Sequence, residues 1–148
     1  MAKGRGGTAW RIKIDAAAKK LTNAKAVDIG WLPGATYGDG TPVALVAAVQ
    51  NYGAPSRGIP PRPFFSEMIA EQSPGWPKAV QASLTTHDGD AAAMLEDIGA
   101  LIKGQLQQKI NTFAGVPLAP ATIARKGFEK QLIDTVHMLN TADYQVQT

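Results

Sequence analysis

The chain has no cysteine and only two histidines among its 148 residues. The absence of cysteine excludes disulfide bonds, thiolate nucleophiles and cysteine-ligated metal centres. His87 and His137 lie far apart in the sequence, and neither belongs to an HExxH or HxH spacing that is typical of metal sites. We therefore expect neither a metal centre nor a redox cofactor.

Long apolar runs are also absent. No segment approaches the roughly 18 apolar residues that span a bilayer, and the N-terminus has no signal-peptide pattern. We therefore expect a soluble protein that does not associate with membranes and that stays in the compartment where it is made. A length of 148 residues is typical of a single domain with a core of its own.

Positive charge is distributed unevenly along the chain. Residues 1–25 contain seven basic side chains and one acidic side chain, a net charge of +6, whereas the remainder contains eight basic and eleven acidic side chains, a net charge of −3. The remainder, residues 26–148, which we call the body, therefore lacks the basic surface of a dedicated nucleic-acid-binding domain. Residues 1–25, the basic arm, are compatible either with contact to DNA phosphates or an acidic partner, or with a purely solubilising role. The candidate contact residues are Lys3, Arg5, Arg11, Lys13, Lys19 and Lys20.

The N-terminal third of the sequence predicts a tail, a helix, a strand and a loop. Residues 1–8 lack apolar periodicity and predict a disordered basic tail. In residues 9–24, Trp10, Ile14 and Leu21 recur with helical spacing, which predicts a basic amphipathic helix, with a strand over residues 10–14 as the alternative. Residues 26–32 alternate between apolar and polar side chains, which predicts a strand with one buried face. Residues 33–42 are rich in glycine and proline and predict a loop.

Proline and glycine mark the ends of the next elements. Pro42 precedes residues 43–53, and Gly53 is the last residue of this range, which predicts a helix with proline at its first position and glycine just after its end. Residues 54–63 contain four prolines and one glycine and predict an extended, rigid connector. Residues 64–71 and 76–85 are predicted to form short helices.

The strongest periodic signal lies between Asp90 and Phe113, where apolar residues recur every three or four positions. A helix of this length would be roughly 36 Å long, with Asp88 or Asp90 capping its first turn. Residues 117–127 predict a turn or short helix, residues 132–139 are ambiguous, and residues 142–148 alternate as a strand. The sequence therefore predicts one α+β domain over residues 9–148. In it, a small antiparallel sheet that pairs residues 26–32 with 142–148 packs on one long helix, with shorter helices and proline-rich loops.

Catalytic templates are incomplete in this sequence. The loop PGATYGDGT has the glycines of a phosphate-binding loop without its lysine, and no serine lies in a GxSxG context. Glu67 and Glu71 would share a helix face, but nothing indicates the burial that a catalytic carboxylate pair needs. We expect His87 to be a capping or exposed residue and His137 to be partly buried. No catalytic or cofactor-binding residue is assigned, and we expect no enzymatic activity.

The segment VALVAAVQNYGAPSRGIPPRPFF (residues 43–65) resembles a segment of small tail-completion or minor tail proteins of long-tailed bacteriophages. It combines an apolar small-residue stretch, an aromatic residue and a glycine, a variable loop, and IPxRPF. PLAPATIARKGFEKQLIDT (residues 117–135) resembles the C-terminal stretch of the same family, and IGWLPGATYGDGTPVA fits the preceding strand and loop. Two positions differ from the family: Val136 stands where glycine is usual, and Asn51 stands where an acidic residue is frequent.

The resemblance implies a non-enzymatic virion protein, a tail-completion, tail-terminator or neck subunit that forms a ring, of six copies, between the tail tube and the head connector. Its partners would be other copies of the chain, the tail tube protein and the connector or neck proteins, with non-specific DNA contact in the lumen. It would be assembled in the host cytoplasm and located in the virion, in the tail or head–tail neck. The alternative is a small accessory protein that binds the DNA backbone through the basic arm.

The prolines of the connector leave it little conformational entropy to lose on docking, so this segment is the expected subunit interface. Phe64 and Phe65 would act as buried anchors there, although a place in the core of the chain itself is an equal alternative for both. The interface residues that we expect are Tyr52, Arg57, Pro60, Pro61, Arg62, Pro63, Phe64 and Phe65.

Overall fold

A computed structural model describes residues 6–113 and 136–148 and has the predicted α+β architecture. The two strands are β1 (Ala26–Gly30) and β2 (Asp143–Gln147). The helices are α1 (Gly6–Leu21), α2 (Val43–Tyr52), α3 (Phe64–Gln72), α4 (Trp76–Thr86), α5 (Ala91–Thr112) and α6 (His137–Asn140). The predicted turn or short helix at residues 117–127 and the resemblance at residues 117–135 lie outside the described residues.

The first helix differs from the prediction at both ends. It begins at Gly6, so residues 6–8 belong to the helix and not to the expected tail. The glycines of its first turn cost less there than in the helix interior, because the first backbone N–H groups of a helix have no intrahelical partner. The helix ends at Leu21, where the Thr22 hydroxyl donates to the Ala18 carbonyl at 2.7 Å.

The two strands pair in the predicted antiparallel arrangement. The register runs from Ala26 opposite Gln147 to Gly30 opposite Asp143. Val27 and Ile29 lie opposite Val146 and Tyr144, and both strands pack against α5. The alternation of apolar and polar residues in these segments therefore predicted which face of the sheet is half-buried.

The long predicted helix is confirmed as α5, which at 22 residues is about 33 Å long. Asp90 caps its N-terminus by accepting a hydrogen bond from the Ala93 N–H at 3.0 Å. Its buried face carries Ile98, Ile102, Leu106 and Ile110. The core forms between this face and a set of residues from the shorter elements: Val43, Ala47, Phe64, Met68, Met138 and Ala142.

The segment around the proline-rich connector departs from the prediction in two ways. Pro42 occupies the N-cap of α2 and not the first helical position. The connector is not extended, because Pro55–Arg57 forms a 3₁₀ turn and Gly58 adopts a left-handed conformation with φ 65°. Ala54 and Ile59 then pair through two backbone hydrogen bonds of 2.9 and 3.1 Å, which folds the connector back on itself.

Gly99 allows β2 to approach α5 closely. A Cβ atom at Gly99 would lie 2.7 Å from Cγ of the Tyr144 ring, whereas a Cβ atom at Gly104 of the same helix would meet no atom within 4 Å. The two glycines of α5 therefore have opposite packing environments within one helix.

We expect Gly99→Ala to lower the free energy of unfolding by about 1–3 kcal/mol, because the added methyl group would displace the Tyr144 ring and the strand that carries it. Gly104→Ala is the matched control and should raise the same quantity by up to about 1 kcal/mol, because alanine is the better helix former. Urea denaturation of both variants measures the two effects. Equal effects of the two substitutions would contradict the close contact.

Candidate functional site

The residues expected at a subunit interface differ widely in exposure. Tyr52 is the most exposed large apolar side chain of the described residues, at 72%. The exposed members are Tyr52, Arg57 and Pro61, the half-buried members are Pro60, Pro63 and Phe65, and the buried members are Arg62 and Phe64. The segment is therefore divided between the surface and the interior of the subunit.

Phe64 is fully buried, so of its two predicted roles, a subunit interface or the core, the structure places it in the core. Its ring contacts Trp31 edge-on, with the centroids 6.1 Å apart, and also contacts Phe113 at 6.4 Å. The fold of the connector explains this placement, because α3 begins at Phe64 and directs this side chain toward α5.

Arg62 is also buried, with 7% exposure, and this corrects its expected contact with a neighbouring subunit. Its Nη1 donates to Oε1 of Gln50 at 3.0 Å, and its backbone N–H donates to the Gln50 carbonyl at 2.7 Å. These two bonds tie the end of the connector to α2. Arg62 therefore holds the shape of the connector from inside the subunit.

Asn51 has a structural role that the sequence reasoning missed. It is buried at 4% exposure, and its Oδ1 accepts hydrogen bonds from the N–H groups of Phe65 and Ser66 at 3.0 and 3.2 Å. Its Nδ2 donates to the Ser66 hydroxyl at 2.9 Å. Because Pro63 at the N-cap of α3 provides no side-chain cap, Asn51 satisfies the N-terminus of α3 from the neighbouring helix α2.

An open cleft lies beside this cap, between the end of β1 and α2, and we call it the α2–β1 cleft. Its volume is about 210 Å³. Apolar residues dominate its walls, which carry no charged side chain. The lining residues are Ile29, Gly30, Trp31, Ala44, Ala47, Ala48, Asn51, Tyr52 and Phe65.

Trp31 connects the walls of the α2–β1 cleft to the core. Its indole Nε1 donates to the Met138 carbonyl at 2.8 Å, and its ring lies 6.3 Å from the ring of Phe65.

On the outer surface of α2, Leu45 and Tyr52 are exposed and lie seven residues apart, on one face of the helix. The cleft and this face form a continuous apolar surface next to the connector.

Ser83, His87 and Asp97 form a cluster outside this surface. The Ser83 hydroxyl donates to Oδ2 of Asp97 at 2.7 Å, and Nε2 of His87 lies 2.8 Å from the same oxygen. These two hydrogen bonds lower the pKa of Asp97, and the bond from Ser83 has the larger effect. His87 follows the end of α4 and contacts the carboxylate and not the hydroxyl, so the cluster joins α4 to α5 and does not activate Ser83 as a nucleophile.

Glu67 and Glu71 share one face of α3, as expected, and both contact Lys109 of α5. The distances from Lys109 Nζ are 3.1 Å to Glu67 and 2.7 Å to Glu71. Burial opposes the charged form of Lys109, but the hydrogen bonds that Lys109 donates to Glu71 and Glu67 outweigh this effect and raise the pKa of Lys109. The carboxylate pair is therefore part of the packing of α3 on α5.

His137 is half-buried, as expected, with Nε2 2.8 Å from the Thr36 carbonyl.

In the described part of the chain, the side-chain bonds that join α1 to the start of α5 lie at and just beyond the C-terminal end of α1. Lys20 pairs with Asp88 at 2.6 Å, which raises the pKa of Lys20 and lowers the pKa of Asp88 through this hydrogen bond. Asn23 donates to Asp90 at 3.0 Å and accepts from the Ala92 N–H at 2.9 Å. Lys20 therefore forms an exposed ion pair within the chain, and its contact with DNA stays a prediction.

The other arm residues expected to contact DNA fall into two groups. Lys13 and Lys19 are exposed and form no ion pair with the described residues. Lys3, Arg5 and the side chain of Arg11 lie outside the described part of the chain.

Across the residues that the structure describes, no group of three or more histidine, aspartate or glutamate side chains could hold a metal ion. No helix in that part of the chain has the length and apolar character needed to cross a membrane. Comparisons with models of protein families, with curated proteins and with solved structures found no match to this chain.

We expect Asn51→Ala to lower the free energy of unfolding by about 1–3 kcal/mol, because two backbone N–H groups at the start of α3 would lose their acceptor. Asn51→Asp should recover most of this loss, since a carboxylate accepts the same two bonds and is favoured at the positive end of a helix. Urea denaturation distinguishes the two variants. An aspartate variant as unstable as the alanine variant would contradict the capping role.

Proposed function

We propose that this chain is a non-enzymatic structural subunit of a tailed-phage or prophage virion, acting in tail completion, as a tail terminator or in the head–tail neck. The observation that carries the proposal is the location of the exposed apolar surface. The α2–β1 cleft and Tyr52 lie largely in residues 43–65, the segment that resembles the phage family. A surface of this kind on a small subunit is typical of a contact with another protein chain.

The rigidity of this surface supports an assembly role. Asn51 joins α2 to the start of α3, and Arg62 joins the connector to α2. Gly53 lies at φ 75°, and a Cβ atom there would be 2.8 Å from the Pro61 nitrogen, so the turn into the connector is tightly packed. A surface fixed in this way loses little conformational entropy when a second subunit binds.

The backbone at Val136 supports the resemblance itself. Val136 adopts a left-handed conformation with φ 64°, which β-branched residues rarely adopt and which glycine adopts freely. The family that the sequence resembles usually has glycine at this position. The backbone conformation found here is therefore the one that would favour glycine in related chains.

In this proposal, copies of the chain associate through the exposed part of the segment and close into a ring, which the resemblance implies to be hexameric. Tyr52, Arg57 and Pro61 provide the exposed contacts, whereas Phe64 and Arg62 maintain the shape of the subunit. The ring would join the tail tube to the head connector, with DNA passing through its lumen.

We expect the purified chain to form rings, either alone or after addition of tail tube or connector protein, as seen by light scattering and electron microscopy. Tyr52→Ser should weaken this association by about tenfold or more, because a large exposed aromatic side chain at an interface is a frequent source of binding energy. Ile69→Ser is the control, since Ile69 is exposed on α3 and does not line the cleft. A chain that remains monomeric under all of these conditions would contradict the proposal.

A second candidate function is a DNA-bound accessory protein, and the exposed Lys13 and Lys19 favour it. Both side chains are available to phosphates because neither is paired within the described residues. Binding of this kind would be independent of sequence and sensitive to salt.

For this second candidate, we expect the double variant Lys13→Gln, Lys19→Gln to reduce the slope of log affinity for duplex DNA against log salt concentration by about 2. The matched control is Arg57→Gln, Lys78→Gln, which removes two exposed charges from the body. Fluorescence anisotropy at several salt concentrations measures the slopes. Equal slopes for the two double variants would exclude Lys13 and Lys19 as phosphate contacts, which removes the observation that favours this candidate.

A further inference from the structure

Over residues 13–21, the apolar face of α1 is largely exposed. Ile14 and Leu21 are 57% and 52% exposed, and Ala17 and Ala18 between them are exposed as well. These four residues lie on one face, because successive residues of a helix are rotated by about 100°. A helix of 16 residues is marginally stable without packing of its apolar face. The helix therefore has a face that packing against another surface would stabilise.

This face does not pack on the cleft of its own chain. The C-terminal end of α1 is held at the start of α5 by the bonds of Lys20 to Asp88 and of Asn23 to Asp90. The α2–β1 cleft is instead formed by the opposite end of β1 and by α2. With residues 13–21 all exposed, α1 leaves its own cleft open.

The dimensions and chemistry of the two surfaces match. Ile14 and Leu21 are seven residues apart, or about 10.5 Å along the helix, and the α2 wall of the cleft from Ala44 to Tyr52 is about 12 Å long. Small alanine side chains along α2 permit a second helix to lie close to it. The cleft has no charged lining residue, so insertion of an aliphatic side chain leaves no buried charge unpaired.

Net charge favours contact between the arm of one copy and the body of another. The basic arm carries a net charge of +6, and the rest of the chain carries −3. Two bodies repel each other, whereas an arm and a body attract. With the face of Ile14 and Leu21 buried, Lys13 and Lys19 point about 100° and 140° away from it and stay outside the cleft.

We propose that the apolar face of α1 of one copy occupies the α2–β1 cleft of a neighbouring copy. Each copy then provides one arm and receives one, which is a heterologous contact of the kind that closes into a ring. This inference rests on the proposed function, because both require that copies of the chain associate.

The absence of cysteine makes a crosslinking test direct. A mixture of isotopically labelled Ala17→Cys and unlabelled Ala48→Cys protein, treated with a short bifunctional thiol reagent, should yield mixed dimers that mass spectrometry identifies. Ala70→Cys replaces Ala48→Cys in the control, because Ala70 is exposed on α3 and does not line the cleft. Mixed dimers that form equally with both partners, or with neither, would overturn the proposal.

Polar substitutions distinguish this inference from the proposed function. Ile14→Asn and Leu21→Asn should each weaken association about tenfold or more, measured by sedimentation, because each removes a buried aliphatic side chain. Ala16→Asn on the opposite face of α1 is the control and should leave association unchanged. If the wild-type chain assembles and all three variants assemble equally well, the arm contact is wrong and the proposed function stands. If the wild-type chain remains monomeric both alone and after addition of tail tube or connector protein, both fail.

Discussion

The contact between Gly99 of α5 and the Tyr144 ring of β2 is the constraint on which the fold depends. A sheet of two strands is at most marginally stable in water, so β1 and β2 need a packed surface behind them. The missing side chain at Gly99 lets the sheet lie directly on the longest helix. Since β1 and β2 lie near opposite ends of the chain, this contact also brings distant parts of the sequence together.

The position of the α2–β1 cleft follows from this arrangement. With β1 fixed on α5, the chain continues into Trp31, whose indole donates to the Met138 carbonyl and whose ring contacts both Phe64 and Phe65. Asn51 then sets where α3 begins relative to α2. The apolar walls of the cleft are consequently extensions of the core, and the shape of the cleft is set by interactions inside the subunit.

Local patterns in the sequence predicted most of the elements. The four-residue spacing of Ile98, Ile102 and Leu106 predicted α5, and the alternation in residues 26–32 and 142–148 predicted the two strands and their pairing. These predictions succeeded because the signal for a helix or a half-buried strand lies within the element itself. The exposure of Tyr52 agrees with its predicted place on the surface.

The features that the sequence did not reveal depend on which elements meet in space. Asn51 caps a helix that starts 13 positions later, and no pattern within α2 or α3 contains that bond. Arg62 belongs to the proline-rich segment that indicated an extended connector and a subunit contact, but the connector folds back on itself at Gly58 and Arg62 is buried. For Phe64 the sequence left a subunit interface and the core as equal alternatives, and the structure places it in the core. One indirect signal was present for Asn51: an acidic residue at this position in the family that the sequence resembles could cap α3 with the same geometry.

If the arm of one copy docks on its neighbour, as proposed, the geometry of the ring depends on the bonds that hold α1 to its own body. In a heterologous contact, closure depends on the angle between successive subunits, and the strength of the contact alone does not determine it. We expect the angle at which α1 leaves the body to be set by the Lys20–Asp88 ion pair, by the bond that Asn23 donates to Asp90 and by the bond that it accepts from the Ala92 N–H. The ion pair is exposed and therefore screened by salt, whereas the hydrogen bond that the Ala92 N–H donates to the neutral Asn23 side chain is less sensitive to salt. The polar bonds between α1 and the start of α5 would thus determine the direction of each arm. The apolar α2–β1 cleft would determine the affinity of the neighbouring copy for that arm.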